Sequence, residues 1–268
     1  QLILYIKTPT GQIKKIHISS DLGSEYNRQP FVPSKDMVSS SDFSMIEATY
    51  NELGRGFKSK KEVEKERNEF KTFLKNELKN RHNVLIGVFA QARQQTMMEF
   101  LYRTFKDDKD FNYPIYIDGV LGNNLNNVYL SVLEGEDKAY WQEVMSWSKF
   151  HYIGSYEKSM EVALNKEETK LVLSSSGMFQ AGRVTNHLKA MIEKKDCTVI
   201  LCGYQGEGTV GYSLQNPKIR EVKIDGMSYN KNCKIYQMST WSSHIMALEN
   251  IKYMSQINTP LGLLRKTN

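Results

Sequence analysis

Residues 171–209 read LVLSSSGMFQAGRVTNHLKAMIEKKDCTVILCGYQGEGT. An apolar strand ends at Ser174 and a serine- and glycine-rich turn follows. Residues 181–195 repeat apolar side chains at helical spacing, and 197–202 is a second apolar strand. Strand, helix and strand in that order make the unit of a parallel sheet. The unit extends upstream. A helix is predicted over 58–81, with Val63, Phe70, Phe73, Leu74 and Leu78 near one face. Next come strand 83–89, helix 91–106 with Met98, Leu101, Tyr102 and Phe105 as its stripe, and strand 114–118. Helices near 122–134 and 137–147, strand 151–153 and a short helix 156–164 complete the run. The sequence therefore predicts a mostly parallel sheet covered on both faces.

The ends of the chain read differently. Residues 1–20 are two short strands around the turn Pro9–Gln12, and Phe43–Glu47 is another strand. Residues 24–42, with Pro30 and Pro33, read as a surface loop. Beyond 216, strands 220–224 and 234–238 are expected to join around Asp225-Gly226, with a helix at 245–256. An α/β block between two β-rich flanks is the pattern of one domain inserted into another. The expected division is 1–54, 55–215 and 216–268.

Composition narrows the functions. The 268 residues are 40% hydrophobic and 25% charged, which suits a packed core and rules out a disordered chain. No apolar run reaches the roughly 18–20 residues of a membrane span. No signal segment opens the sequence, which starts on Gln1 rather than Met, so a segment upstream is expected. Lys and Arg number 36 against 30 Asp and Glu, a net +6 that suits a polyanionic partner or a lysine-rich solvated surface. Three cysteines without a CxxC read as buried free thiols in a reducing cytoplasm, not as a zinc knuckle.

Three places carry residues with chemistry. Asp21 and Glu47 each end a predicted strand, and His244 sits between a strand and a helix. Such residues make a metal or acid–base site, or act as caps. Ser174–Arg183 joins a strand to a helix; its serines, glycines and arginine make either a phosphate cradle or an ordinary helix start. Gly203–Gly211 has the wrong spacing for a dinucleotide fingerprint and reads as a tight turn. Of the other histidines, His17 is mid-strand, His82 ends a helix, His151 is a core candidate, and His187 faces the cradle or solvent.

Together these stretches resemble the metallo-β-lactamase-fold nucleases with an inserted β-CASP domain, which include mRNA 3′-end cleavage factors, RNase J-type enzymes and archaeal relatives. IHISSDLG (16–23) is similar to the family's T-G-D-type strand end, and IEATY (46–50) to its E-S-T-Y-G motif. Ser175-Ser176-Gly177-Met178, Ala181-Gly182-Arg183 and His187-Leu188 resemble S-G-M, G-G-R and H-L. Gly203–Thr209 is similar to G-Y-Q-x-x-G-T, and Ser239–His244 to F-S-A-H-A-D.

The resemblance implies an αββα metallo-β-lactamase sandwich interrupted by a β-CASP domain. It implies a two-zinc, metal-dependent RNA hydrolase acting in RNA processing or decay. Asp21 would be a metal ligand. Glu47 and His244 would be catalytic, as orienting acid and proton donor. Ser175, Ser176, Gly177, Met178, Gly182 and Arg183 would hold the backbone of RNA or another single strand.

The sequence also departs from the family. The zinc signature H-x-H-x-D-H and a further zinc-ligating histidine would lie upstream of Gln1. Asn51 replaces a glycine, Ile245-Met246 follows His244 where an acid is expected, and Leu263–Lys266 stands where a V-H-G histidine would fall. The chain by itself is therefore expected not to hold two zinc ions or to hydrolyse RNA. The competing expectation is a non-catalytic RNA-binding and assembly module; a small-molecule hydrolase is the weaker third. Flanks without the rest of their sheet are expected to expose strand edges and to aggregate or form a homodimer.

Overall fold

The computed structural model describes residues 2–24, 40–50, 58–238, 240–241, 244–257 and 261–262. Most of the loop expected over 24–42, Asn51, Ser239, Ser242, Ser243 and the 263–266 stretch lie outside them. Strands β1 (Leu2–Lys7), β2 (Ile13–Ile18) and β3 (Phe43–Met45) come first. Then follow α1 (Lys60–Lys79), β4 (Asn83–Gly87), α2 (Arg93–Phe105), β5 (Ile115–Asp118), α3 (Val120–Val132), α4 (Gly135–Met145), β6 (Phe150–Tyr152) and α5 (Tyr156–Leu164). The chain continues through β7 (Leu171–Ser174), α6 (Arg183–Met191), β8 (Cys197–Leu201), α7 (Val210–Gln215), β9 (Glu221–Ile224), β10 (Met227–Asn230) and β11 (Lys234–Gln237). It closes with α8 (Ala247–Ser255) and β12 (Leu261–Gly262).

Two compact units emerge. One is built from both ends of the chain, with Ser242–Asn268 joining residues up to Lys65; the other is Glu66–Trp241. The second unit holds a six-stranded sheet, order β11-β8-β4-β7-β5-β6, and every neighbouring pair runs parallel. The alternation of side chains across a strand explains its two cores. Val84, Ile86, Leu171 and Leu173 face α1, α2 and α4, where Phe70, Leu74, Met97, Leu101 and Trp141 are fully buried. Leu85, Val172, Val199 and Leu201 face the other way, onto Phe179, Val184, Leu188 and Leu214. On the first face Trp241 meets Phe70 and Phe100 edge-on, with ring centroids 5.1 and 4.8 Å apart.

Several expectations are corrected. β9 does not join β11 around Asp225-Gly226. It pairs antiparallel with β10, a polar strand that the hydrophobic pattern missed. Asp225 and Gly226 have φ of 48° and 83°, the left-handed pair that a tight hairpin turn requires. β11 instead extends the six-stranded sheet beside β8. The helix expected over 181–195 is shorter, and α7 was not anticipated. His151 is exposed rather than core.

The first unit carries a four-stranded sheet, order β1-β2-β3-β12, antiparallel between β1 and β2 and parallel elsewhere. Leu22, Ile46, Ile245, Tyr253 and Ile257 form its small core. β1 lies at an edge with every residue exposed, Leu2, Ile3, Leu4 and Ile6 among them. No described helix is long and apolar enough to cross a membrane.

Phe179 fills the space that the missing side chain of Gly87 leaves; a Cβ there would stand 2.4 Å from its ring. Phe179→Ala should therefore cost about 3–5 kcal/mol of stability by opening a cavity under the loop after β7. Urea unfolding checks this, and a loss under about 1 kcal/mol would contradict the packing described.

Candidate active site

Because β2 and β3 are parallel neighbours in register, Ile18 opposite Met45, their ends deliver Asp21 and Glu47 to the same edge. The Ser19 N–H donates to Met45 O (2.9 Å), and the Glu47 N–H donates to Ser19 Oγ (3.0 Å). Each site residue has an apolar neighbour in the chain that anchors it in the small core: Leu22 after Asp21, Ile46 before Glu47 and Ile245 after His244. The Glu47 carboxylate, 7% exposed, ties the three segments together. Its Oε1 accepts the N–H groups of Leu22 (2.6 Å) and Ile245 (3.3 Å). Its Oε2 lies 2.7 Å from His244 Nδ1. Asp21 lies on the open side, 66% exposed, with Oδ1 3.6 Å from the same nitrogen.

Asp21, Glu47 and His244 thus offer two carboxylates and an imidazole whose ligand atoms all lie within 4.8 Å of one another. That donor set suits a divalent metal such as zinc. Asp21 fits as a ligand, since its oxygens face solvent. Glu47 fits better as the acid that fixes the His244 ring, because its oxygens already accept two backbone N–H groups and face the imidazole. No second group of this kind occurs among the described residues. Three donors suit one ion, not two. The cysteines do not compete. All three are free and buried, and burial pushes the thiols of Cys197 to about 11 and of Cys202 and Cys233 to about 12.

The second unit brings the other residues onto one loop at the carboxyl end of the parallel sheet, where α/β folds bind ligands. Ser175, Ser176, Gly177, Met178 and Gly182 lie between β7 and α6. Gly182 has φ +87°, and a Cβ there would sit 2.8 Å from Ser175 O, so only glycine allows the loop to enter α6. The 203–211 segment clasps this loop. The Gln205 side-chain amide donates to Gly177 O (3.1 Å), and the Gly211 N–H donates to Met178 O (2.9 Å). Gln180 Oε1 accepts the Val210 N–H (3.1 Å). The N–H groups of Gly177 and Met178 donate to nothing among the described residues.

Arg183 is held within the fold. Its guanidinium donates to Asp118 Oδ1 (2.9 Å) and to the carbonyls of Ile153 (3.2 Å) and Gly154 (3.1 Å). Asp118 is fully buried and was not singled out by the sequence. His187 faces neither the loop nor solvent: it is buried, with Nε2 2.7 Å from Asp118 Oδ2. Ser159 donates to the same oxygen (2.5 Å). The signal in the sequence was an acid closing the apolar run Ile115–Asp118 before Gly119.

Burial pushes the Asp118 carboxyl up, but the bonds from His187, Ser159 and Arg183 outweigh it and hold it below the usual range. A carboxyl depressed in the folded state adds stability above its unfolded value of about 3.9, and loses it as pH falls through the folded value. Wild type should therefore destabilise on acidification below about pH 4 more steeply than Asp118→Asn, which should already be less stable at neutral pH. Thermal melts from pH 7 to 3 check both; parallel curves for the two proteins would remove Asp118 from the acid response.

Known proteins resemble this chain in sequence. Residues 94–214 match the Beta-Casp domain. The chain is 28% identical over 202 residues to an RNase J-like protein of Methanocaldococcus jannaschii, covering 75% of this chain and 46% of that protein. It is 28% identical over 189 residues to the transcription termination factor FttA of the same organism, covering 65% and 29%. It is 23% identical over 247 residues to the ribonuclease TTHA0252 of Thermus thermophilus, covering 87% and 53%. The chain thus spans about half the length of these relatives or less. The ordered motifs, the parallel sheet and these likenesses together identify the matched part of the second unit as a Beta-Casp domain.

Proposed function

We propose that this chain belongs to a metal-dependent RNA hydrolase of RNA processing or decay, and that it supplies the strand-holding loop and part of the metal site. The grouping of Asp21, Glu47 and His244 carries the reading. When bound, zinc would supply Lewis-acid polarisation of the phosphodiester. Asp21 would hold the metal. Glu47 fixes the imidazole through Nδ1, and His244 would hold a proton for the leaving oxygen. A second ion would need donors beyond these three.

The loop Ser175–Gly182 would hold the backbone of RNA, or of another single strand. The unpaired N–H groups of Gly177 and Met178 and the hydroxyls of Ser175 and Ser176 would be its donors, the buried Ser176 Oγ having no partner among the described residues. Arg183 would serve by fixing the end of this loop, its charge being paired with Asp118. The proposed domain division keeps a metallo-β-lactamase part in the flanks and a β-CASP part between them. Buried free thiols fit a reducing compartment such as the cytoplasm.

A second reading, a non-catalytic RNA-binding and assembly module, is favoured by Met246, which stands two residues after His244 where the F-S-A-H-A-D motif has its acid; a thioether offers neither a carboxylate ligand nor a base.

The test is zinc per chain by elemental analysis, and hydrolysis of a labelled single-stranded RNA by the full-length natural protein. The expected result is zinc-dependent cleavage abolished by Asp21→Ala, with Glu47→Gln weakening metal affinity about 10- to 100-fold. Cleavage unchanged in Asp21→Ala would overturn its metal role. RNA binding without zinc or cleavage would establish the second reading.

A further inference from the structure

Two exposed aromatic rings stand beside the loop after β7. Phe89 follows β4, whose core side chains are fully buried, yet it is itself 37% exposed. Tyr204 follows β8 by three residues and is 64% exposed; its hydroxyl makes no hydrogen bond among the described residues. Both lie on turns at the carboxyl edge of the parallel sheet, the edge that holds Ser175–Met178. The contacts around them are close. The Phe89 ring is 3.0 Å from where a Cβ on Gly177 would be and 3.5 Å from one on Gly203. A Cβ on Gly206 would lie 3.8 Å from both the Tyr204 ring and Met178 Sδ. Glycines therefore occupy the positions where a side chain would crowd these rings or cover the loop backbone. Isolated exposed aromatics are common and mean little. Here two lie against one loop, together with the Met178 thioether, and the N–H groups of Gly177 and Met178 in that loop are unpaired among the described residues.

We infer that Phe89 and Tyr204, with Met178, form a stacking platform for the bases of a single-stranded nucleic acid whose backbone lies on the Ser175–Met178 loop. The inference rests on the reading of that loop as a backbone site and adds the base subsites to it. Stacking tolerates any base, since every base offers a π-face, so the platform gives affinity without sequence preference. Backbone amides and aromatic rings carry no net charge and release few counterions, so binding through them should weaken little with salt.

The experiment uses the full chain and short single-stranded RNA carrying 2-aminopurine, read by anisotropy and by fluorescence quenching. Phe89→Ala and Tyr204→Ala should each weaken binding about 5- to 100-fold and relieve the quenching. Phe89→Tyr and Tyr204→Phe, which keep the rings, should restore both. An abasic strand of the same length should bind wild type and both alanine variants alike. Tyr204 is 64% exposed, so Tyr204→Ala should leave the melting temperature unchanged; Phe89 is only 37% exposed, so Phe89→Ala is read beside Phe89→Leu, which keeps an apolar side chain but no ring and should bind as weakly as the alanine variant while staying folded. Wild type that binds RNA, with alanine variants that bind equally well and still quench, would overturn the platform and leave the loop reading intact. Wild type that binds no single strand would overturn the loop reading and the platform with it.

Discussion

A carboxylate with no access to water has to be paired, and the burial of Asp118 organises the carboxyl edge of the parallel sheet. Its partners come from separate crossover segments: Ser159 from α5, Arg183 and His187 from α6. Arg183 also reaches the carbonyls that follow β6, and Ser174 at the end of β7 donates to Asp118 O (2.8 Å). One buried charge therefore fixes the ends of β5, β6 and β7 and the entry to α6. The loop Ser175–Gly182 has no regular structure of its own. It keeps its shape because both its ends and its flank, through Gln205 and Gly211, are held.

The flanking unit solves a similar problem by other means. Its core is small, and the three site residues are positioned by the apolar residues next to them in the chain. Glu47 is the only well-buried acid of the three, and it is satisfied by backbone amides and an imidazole. Asp21 is left open. An exposed carboxylate beside a fixed imidazole is poised to take a cation, whereas the Asp118 carboxylate is already fully engaged. Each cluster sets a carboxylate against an imidazole, yet burial and prior hydrogen bonding leave Asp21 open and Asp118 engaged.

Much of this was legible in the sequence. Strand and helix periodicity located nearly every element of the parallel sheet, because its strands are short unbroken apolar runs and its helices carry clear stripes. Ordered motifs located Asp21, Glu47 and His244. What escaped depended on pairing between distant residues. Nothing local marks Asp118 as the partner of Arg183, 65 residues away. Arg183 read as a residue for a ligand, while the fold uses its guanidinium internally. β10 was hidden because Met227–Asn230 is polar on an exposed hairpin, and α7 because a glycine-rich turn obscures its start.

Glu47 and His244 are 197 positions apart, and almost all of that separation is the parallel-sheet unit. In the folded unit Arg67 donates to Thr240 O at 3.1 Å, so the two ends of the insertion are tied together. Folding of the insertion thus shortens the free loop that must close between Glu47 and His244 to roughly two dozen residues, which lowers the closure entropy by about 2 kcal/mol. The insertion acts as a staple for the flanks. During synthesis Asp21 and Glu47 emerge long before His244, so the three side chains can meet only after the whole insertion has been made.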